Sequence, residues 1–501
     1  VTDLDLARGR IGVIDIGSNS LRLVVYDTAA RAPMPLFNEK ALCALGRGLG
    51  STGRLNPAGV ASAIVNLQRF VAIAHAIGVT RLDVIATAAV RDAADGAEFV
   101  AEIRRQCGVE VRVLDGPGEG RLSALGVIAG IPDADGVVGD LGGGSVELVP
   151  VDRGVVGEGA TLPLGPLRLA EFGDSEKRLR EVVESNIASV SWLQRYRGRS
   201  FYLVGGAWRA LARIHIEQMN YPLHIIQNYT VPRSEAEQFF RMLGRLSRKS
   251  LEKIAGISKR RLETVPFASL VLSRIVEILA PERLVFSAYG LREGHVYNLL
   301  AESERRVDPL IAGCLVLARA KPRFGITGEE LFAWMSPLFP REDARHLRLR
   351  MAISLISDTA WNEHPDYRAD EAFLRSLRMP VAGIDHGERV FIATALHARY
   401  GGAADAEIKQ ATRRLISDVE HAEARRIGIT LRLGYSLSGG AVGILEQLPL
   451  AMAGDEIVLS VPDNSQLWSG ETVQRRFDAV GRAFERRASV RLGSARRTAR
   501  G

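Results

Sequence analysis

Gly17-Ser18-Asn19-Ser20 and Gly142-Gly143-Gly144-Ser145 are two small-residue turns, each beginning two residues after an aspartate, Asp15 and Asp140. Turns of this composition let the backbone approach a ligand closely, because glycine and serine add little bulk. Their amides then form a concave cradle of partial positive charge that suits phosphate oxygens. A carboxylate at neutral pH repels such an anion, so Asp15 and Asp140 suit a divalent cation, Mg²⁺ or a similar ion, that bridges to the phosphate. Glu147, two residues past Ser145, suits either support of that cation or positioning of water. Glu119, in Gly116-Pro117-Gly118-Glu119-Gly120-Arg121, is an acid at the start of a helix. It reads either as a base beside an attacking water or as a glutamate favoured by the helix dipole. Arg91 follows a strand and suits a planar phosphate clamp, or a plain surface position. Ser18, Ser20 and Ser145 have no histidine near them in sequence, so a phosphorylated serine is the less favoured mechanism.

These residues need strands that end at the turns. Ile11–Ile16 is apolar and partly β-branched, and Leu21–Tyr26 returns from the first turn as a second strand. A helix begins after Asn56 with Pro57 at its first position and ends at Gly78; Val60, Ile64, Leu67 and Val71 give it an apolar stripe. Strands are expected at Leu82–Thr87 and Val109–Leu114, and helices at Glu98–Cys107 and Glu119–Ala129. The opening pattern then recurs: strand Val137–Leu141, turn, strand Val146–Val151. The offset of about 125 residues pairs Asp15 with Asp140, Gly17 with Gly142, Ser20 with Ser145 and Arg22 with Glu147. We read this as an internal duplication, one unit per lobe, with the two hairpins opposed. Two further strand–glycine–helix segments, Phe201–Leu211 and Leu284–Gly294, suit strand ends lining a cleft.

From about Pro309 long helical stretches dominate, for example Pro340–Asn362 and Gly387–Tyr400. Strand-like runs follow at Ile429–Leu433 and Glu456–Val461, then a helix over Gly470–Arg487. The fold class is α/β: two lobes at 1–127 and 128–305, an all-α domain at 306–426 and a small α+β domain at 427–501.

The 501 residues are 47% hydrophobic and 25% charged, an ordinary globular composition. No apolar stretch of membrane-spanning length and no secretory pattern is read from the chain. Cys43, Cys107 and Cys314 are too few and too scattered for a disulfide framework or a zinc site, so a cytoplasmic setting with reduced thiols is expected. The net charge of +7 favours a polyanionic partner; nucleic acid, nucleotide and polyphosphate all fit that charge. Two basic runs, Arg241–Arg261 and Arg475–Arg500, read as solvated helix faces, with a frayed tail at the end.

The motifs Val13-Ile-Asp-Ile-Gly-Ser-Asn-Ser-Leu-Arg-Leu-Val, Ala86-Thr-Ala-Ala-Val-Arg-Asp-Ala, Gly139-Asp-Leu-Gly-Gly-Gly-Ser-Val-Glu-Leu, Leu203-Val-Gly-Gly-Ala-Trp-Arg-Ala-Leu and Ser287-Ala-Tyr-Gly-Leu-Arg-Glu-Gly occur in one order over about 300 residues. In that set the chain resembles the exopolyphosphatase and guanosine pentaphosphate phosphatase family, of actin-like (ribonuclease H-like) fold. The resemblance implies that Asp140 and Glu147 lie at the metal and catalytic centre and that Glu119 is the base. It also implies that Arg91, Ser18, Asn19, Ser20 and Gly142 to Ser145 contact phosphate. It implies metal-dependent, processive release of orthophosphate from inorganic polyphosphate, with guanosine pentaphosphate as the alternative substrate. A non-catalytic ATP-binding actin-like regulator and transfer to ADP are the other readings. The helical region is similar to HD-type phosphohydrolase domains. It carries Asp385-His386, the reverse of the His-Asp doublet, with His364 and His397 nearby in sequence but no complete metal set, so it is expected to guide polyphosphate along a basic channel. A homodimer is implied; no membrane or nucleic-acid partner is. Two departures stand out: Gly116-Pro117-Gly118 replaces a more acidic stretch before the base, and Ala207 stands where the family often has Ser or Thr.

Overall fold

The computed structural model describes residues 9–173, 175–245, 263–319, 325, 327–463 and 465–493. The chain divides into two compact units, Val1–Pro309 and Leu310–Gly501.

The first unit holds two sheets. Strands β1 (Arg10–Ile16), β2 (Ser20–Tyr26), β3 (Pro35–Leu42), β4 (Val79–Ala86) and β5 (Val111–Val113) form the first, in the order β3-β2-β1-β4-β5. β1 pairs antiparallel with β2 and parallel with β4. Its side chains alternate between two cores, as a strand covered on both faces requires. Ile14 and Ile16 pack with the helix Pro57–Ile77, while Ile11 and Val13 pack with the helix Gly116–Gly130.

The second sheet contains β6 (Gly136–Leu141), β7 (Val146–Asp152), β8 (Val155–Val156), β9 (Ala160–Leu162), β10 (Ser200–Val204), β11 (Tyr229–Pro232) and β12 (Arg283–Phe286). Its order is β11-β12-β10-β6-β7-β8, with β9 also on β7. β6 pairs antiparallel with β7 and parallel with β10, the plan that β1 follows with β2 and β4. The hairpin registers correspond too: Asp15 lies opposite Arg22, and Asp140 opposite Glu147. Both turns close alike, Gly17 N donating to Ser20 O at 3.1 Å and Gly142 N to Ser145 O at 3.0 Å.

The helices Gly116–Gly130 and Leu291–Asn298 share one core with residues of both sheets, including Val13, Val24, Val138 and Val204. Their contact runs through glycine. A Cβ at Gly294 would lie 1.8 Å from Leu122 O, and one at Gly126 would lie 2.1 Å from Gly290 O. Any side chain there would force the backbones apart.

The helix Pro57–Ile77 does not overturn the membrane expectation, because a core helix meets the same test of length and composition. It is 21 residues long with a mean hydropathy of 1.5, enough by length and composition to cross a membrane. The reason is that its outward face carries Ala58, Ala61, Val65, Ala72 and Ala76, while Ala63, Ile64, Leu67, Phe70 and Val71 fill the core beside the first sheet.

In the second unit the helices Ala344–Leu355, His386–Arg399 and Asp418–Ser438 share one core with the sheet β13 (Leu450–Ala453), β14 (Glu456–Pro462) and β15 (Arg487–Gly493). Ile429–Leu433, expected as a strand, is helical: it lies inside Asp418–Ser438, whose capping box at Ser417 and Glu420 and C-terminal Gly439 fix both ends. The boundary expected at 426/427 falls inside this helix. Asp385 caps the helix His386–Arg399, accepting from Glu388 N at 2.8 Å. His397 is buried, with Nε2 3.2 Å from Asp370 Oδ1, and His364 is exposed. Of the basic runs, Arg241 lies on the helix Arg233–Arg245 and Arg475 on Glu471–Ala483. Arg248, Lys249, Lys253, Lys259, Arg260 and the tail from 494 lie outside the described residues.

Gly294→Ala should lower the stability of the first unit by about 3 kcal/mol, the upper range for overpacking a close contact. Denaturant unfolding followed by tryptophan fluorescence would measure it; an unchanged midpoint would contradict the backbone-distance crossing.

Candidate active site

The two turns meet. A Cβ placed on Gly143 would lie 2.9 Å from Ser18 Cβ, and one on Gly144 would lie 3.5 Å from Ser18 Oγ. Among the described residues, the amides of Ser18, Asn19, Gly143 and Gly144 donate no backbone hydrogen bond, whereas the Ser18 and Asn19 carbonyls accept from Gly46 and from Cys43 and Ala44. The carbonyls are thus spent on holding the turn, and the donors are left for an anion. Ser20 and Ser145 end the turns as the first paired residues of the return segments. The cleft rim is bridged by Gly50 N donating to Glu171 Oε1 at 3.1 Å and by Arg168 Nη2 at 3.7 Å from Asp92 Oδ2.

Beside the turns lies a set of buried acids. Glu119 sits in the first turn of Gly116–Gly130, whose N-cap Asp115 accepts from Gly118 N at 2.8 Å. Arg91 Nη1 donates to Glu119 Oε2 at 2.8 Å and to Leu114 O at 3.2 Å, and its Nε donates to Asp92 Oδ1 at 3.1 Å. Burial is the largest influence on Glu119 and raises its pKa to about 7; Arg91 draws it down, and Asp140 and Asp15 push it up. Asp140 is raised chiefly by burial, although the Ser123 hydroxyl donates to its Oδ2. Glu147 is held well above the carboxylate range by burial and then by Glu119 and Asp140. The Ser145 hydroxyl offsets a little of that from just outside hydrogen-bonding geometry, and both Glu147 oxygens are buried without a hydrogen bond. The helix start reaches this close only because residue 120 is glycine: a Cβ there would lie 3.2 Å from Glu147 Cβ.

The structure therefore gathers Glu119, Arg91, Asp140 and Glu147 around the two turns. Asp15 is different in kind, since Arg292 Nη1 holds its Oδ2 at 2.6 Å. Asn19 is exposed, and the structure gives its side chain no partner at the site. Sequence reasoning missed Arg292 and Arg209 as site residues. The signal was present, since each follows a strand-end glycine in a motif already singled out.

Among the described residues no three His, Cys, Asp or Glu side chains are gathered into a ready metal cage. The orphaned carboxylate of Glu147, close to Asp140, nevertheless fits a magnesium-type ion, which takes one or two carboxylates and fills its remaining positions with water and phosphate oxygens.

A carboxyl whose folded pKa exceeds its unfolded value contributes stability at low pH and loses it as pH rises through the folded pKa. For Glu119 that window runs from its ordinary 4.5 to about 7. Scanning calorimetry should show the wild-type midpoint falling between pH 5 and pH 8.5 by about 4 °C more than that of Glu119→Gln. Parallel profiles would mean that Glu119 is not strained in its charged form.

Comparison with known proteins identifies the family. A model of the Ppx/GppA phosphatase family matches residues 7–303, and one described as exopolyphosphatase, C-terminal, matches residues 317–490. Exopolyphosphatase 1 of Mycobacterium tuberculosis is 28% identical over 307 residues, covering 58% of this chain and 88% of that protein. Retrograde regulation protein 2 of Saccharomyces cerevisiae is 26% identical over 439 residues, covering 79% of this chain and 74% of that protein. The crystal structure of an exopolyphosphatase from Cytophaga hutchinsonii shares the fold, with a TM-score of 0.53 at 23% identity over 58% of this chain and 97% of that one. An Aquifex aeolicus PPX-GPPA enzyme gives 0.50 at 25% identity over 57% and 98%. With its family model spanning more than half of its length, the chain belongs to the Ppx/GppA phosphatase family.

Proposed function

We propose that this chain is an exopolyphosphatase, releasing orthophosphate from the end of inorganic polyphosphate. The observation that carries the reading is a buried glutamate, Glu119, with a pKa of about 7, beside two amide-lined turns that touch. The amides of Ser18, Asn19, Gly143 and Gly144 hold the terminal phosphate oxygens, and Arg91 adds a guanidinium from the side of the first sheet. Glu119, partly ionised at neutral pH, takes a proton from water as the water oxygen bonds to phosphorus. The bridging P–O bond breaks, and the shortened chain leaves as an anion. A divalent cation such as Mg²⁺, held by Asp140 and Glu147 with Asp15 beside them, would add positive charge against the phosphate oxygens and relieve the repulsion between the acids.

The matching hairpins support two duplicated actin-like lobes, and the C-terminal unit supports an HD-like helical region that keeps long chains bound between turnovers. The reading extends to a cytoplasmic homodimer. The guanosine pentaphosphate alternative uses the same centre. A regulatory reading without turnover is favoured by one observation, the yeast relative's name.

Phosphate release from long polyphosphate and from guanosine pentaphosphate, each with Mg²⁺, tests the reading. Polyphosphate should be the better substrate, and Glu119→Gln should lower kcat/KM by about 100- to 10,000-fold, the usual range for a lost general base. Faster release from the nucleotide would transfer the assignment to it, and no release from either would leave the regulatory reading.

A further inference from the structure

Arg209 is a partly buried cation, its Nε fully enclosed, that no described residue answers. It stands in the strand–glycine–helix segment that follows β10, as Arg91 stands in the one that follows β4. Each is the fourth residue of its helix, Ala88–Asp92 and Gly206–Gln218, and each donates its amide to the N-cap carbonyl at 3.1 Å, Arg91 to Thr87 and Arg209 to Gly205. The backbone positions correspond; the partners do not. Arg91 is paired with Glu119 and Asp92. Among the described residues the Arg209 guanidinium makes no ion pair or hydrogen bond, and its Nε is fully buried without a partner.

The surrounding charges explain why. Asp140 and Glu293 both attract Arg209, while Arg292 and Arg22 repel it. Both acids are engaged elsewhere. Asp140 takes the Ser123 hydroxyl, and Glu293 accepts from Gly290 N at 2.9 Å and from the Tyr26 hydroxyl at 3.1 Å. The other two arginines have partners as well: Arg292 has Asp15, and Arg22 Nε donates to Asn38 Oδ1 at 2.8 Å. Burial, the largest influence, lowers the Arg209 pKa to about 10, which leaves it charged at neutral pH. A buried charge without a partner is destabilising, and it is retained where a ligand supplies the counter-charge.

We infer that Arg209, within electrostatic reach of Asp140, forms an anion subsite for the second phosphate of the substrate. The two arginines then approach the phosphate chain from the two sheets, Arg91 at the terminal residue and Arg209 at its neighbour. Ala207 fits this division: the same turn lacks a hydroxyl, and the guanidinium two residues on supplies the donors. The ligand class is a condensed phosphate of at least two phosphoryl units, and this inference rests on the polyphosphate reading above.

The test uses the full chain carrying Glu119→Gln to block turnover, with and without Arg209→Met, and with Arg209→Lys as a conservative control. Tripolyphosphate and orthophosphate, each with Mg²⁺, are the probes in titration calorimetry and thermal unfolding. Tripolyphosphate should bind about 10- to 100-fold more weakly to the Met variant, the loss expected for a charge-assisted contact, and the Lys variant should fall between. Orthophosphate affinity should be unchanged, and the ligand-free midpoint of the Met variant should match or exceed that of its parent. Equal tripolyphosphate affinities, an equal loss for both probes, or a lowered ligand-free midpoint in the Met variant would each overturn the subsite. In the otherwise wild-type chain, Arg209→Met should raise KM for polyphosphate with kcat little changed. If wild type releases no phosphate while the Met variant still loses tripolyphosphate binding, the hydrolase reading falls and the subsite stands. If wild type turns over and the Met variant keeps its KM, the subsite falls and the hydrolase reading stands.

Discussion

Repulsion between buried carboxylates is the constraint on which the site depends. Burial is the largest influence raising all three of Glu119, Asp140 and Glu147; Asp140 raises Glu119 further, and Glu119 and Asp140 together raise Glu147 further. A fold minimising its own free energy would separate such groups or pair each with a base. Among the described residues, the hydrogen-bonded groups on these carboxylates are Arg91, paired with Glu119, and the Ser123 hydroxyl on Asp140. The remaining charge is available to a proton or a cation, and for that reason an acid can work as a base near neutral pH.

Glycine contacts hold the acids together against that repulsion. Gly120 lets the helix carrying Glu119 lie on β7 beside Glu147, and Gly126 and Gly294 let the two central helices cross at backbone distance. Gly143 brings the second turn onto Ser18. Each contact excludes a side chain, so the space that would hold an apolar cushion instead closes the distance between charged groups. The energy that opposes this arrangement is supplied by the shared core on both sides of the helices, where Val13, Val24, Val138 and Val204 are almost entirely buried.

The parts of this design that were legible in sequence are the local ones. Each turn occupies four residues with its aspartate two residues upstream, so strand register alone fixes their relation and the hairpins could be read directly. Glu119 and Arg91 were visible as candidates, but their pairing spans 28 residues and depends on how two helices follow two strands. Arg292 reaches Asp15 across 277 residues, which no local pattern encodes. Ile429–Leu433 was misread for a related reason. Five residues with β-branched content look like a strand in isolation, and only the caps at Ser417 and Gly439, well outside that window, make them the middle of a helix. Pro57–Ile77 shows the converse: its stripe of Ile64, Leu67 and Val71 was legible locally and fills the core, although an alanine-rich outer face gives the whole helix a composition that passes for a membrane span.

The two hairpins share a backbone plan and differ in the charged cross-strand pair beside the turn, and that difference decides what each can do. On the first, Asp15 lies opposite Arg22 and is held by Arg292, so its charge is answered by bases of the sheet and its neighbouring helix. On the second, Asp140 lies opposite Glu147, and acid faces acid. The same register therefore yields one wall whose aspartate is answered by arginine, although the turns of both walls carry undonated amides. Across from it stands an acid-rich wall suited to a cation and to proton transfer. Had both hairpins carried an acid opposite an acid, an anionic substrate would be repelled from both sides. With a base opposite an acid on both, no group would be left strained enough to take a proton from water.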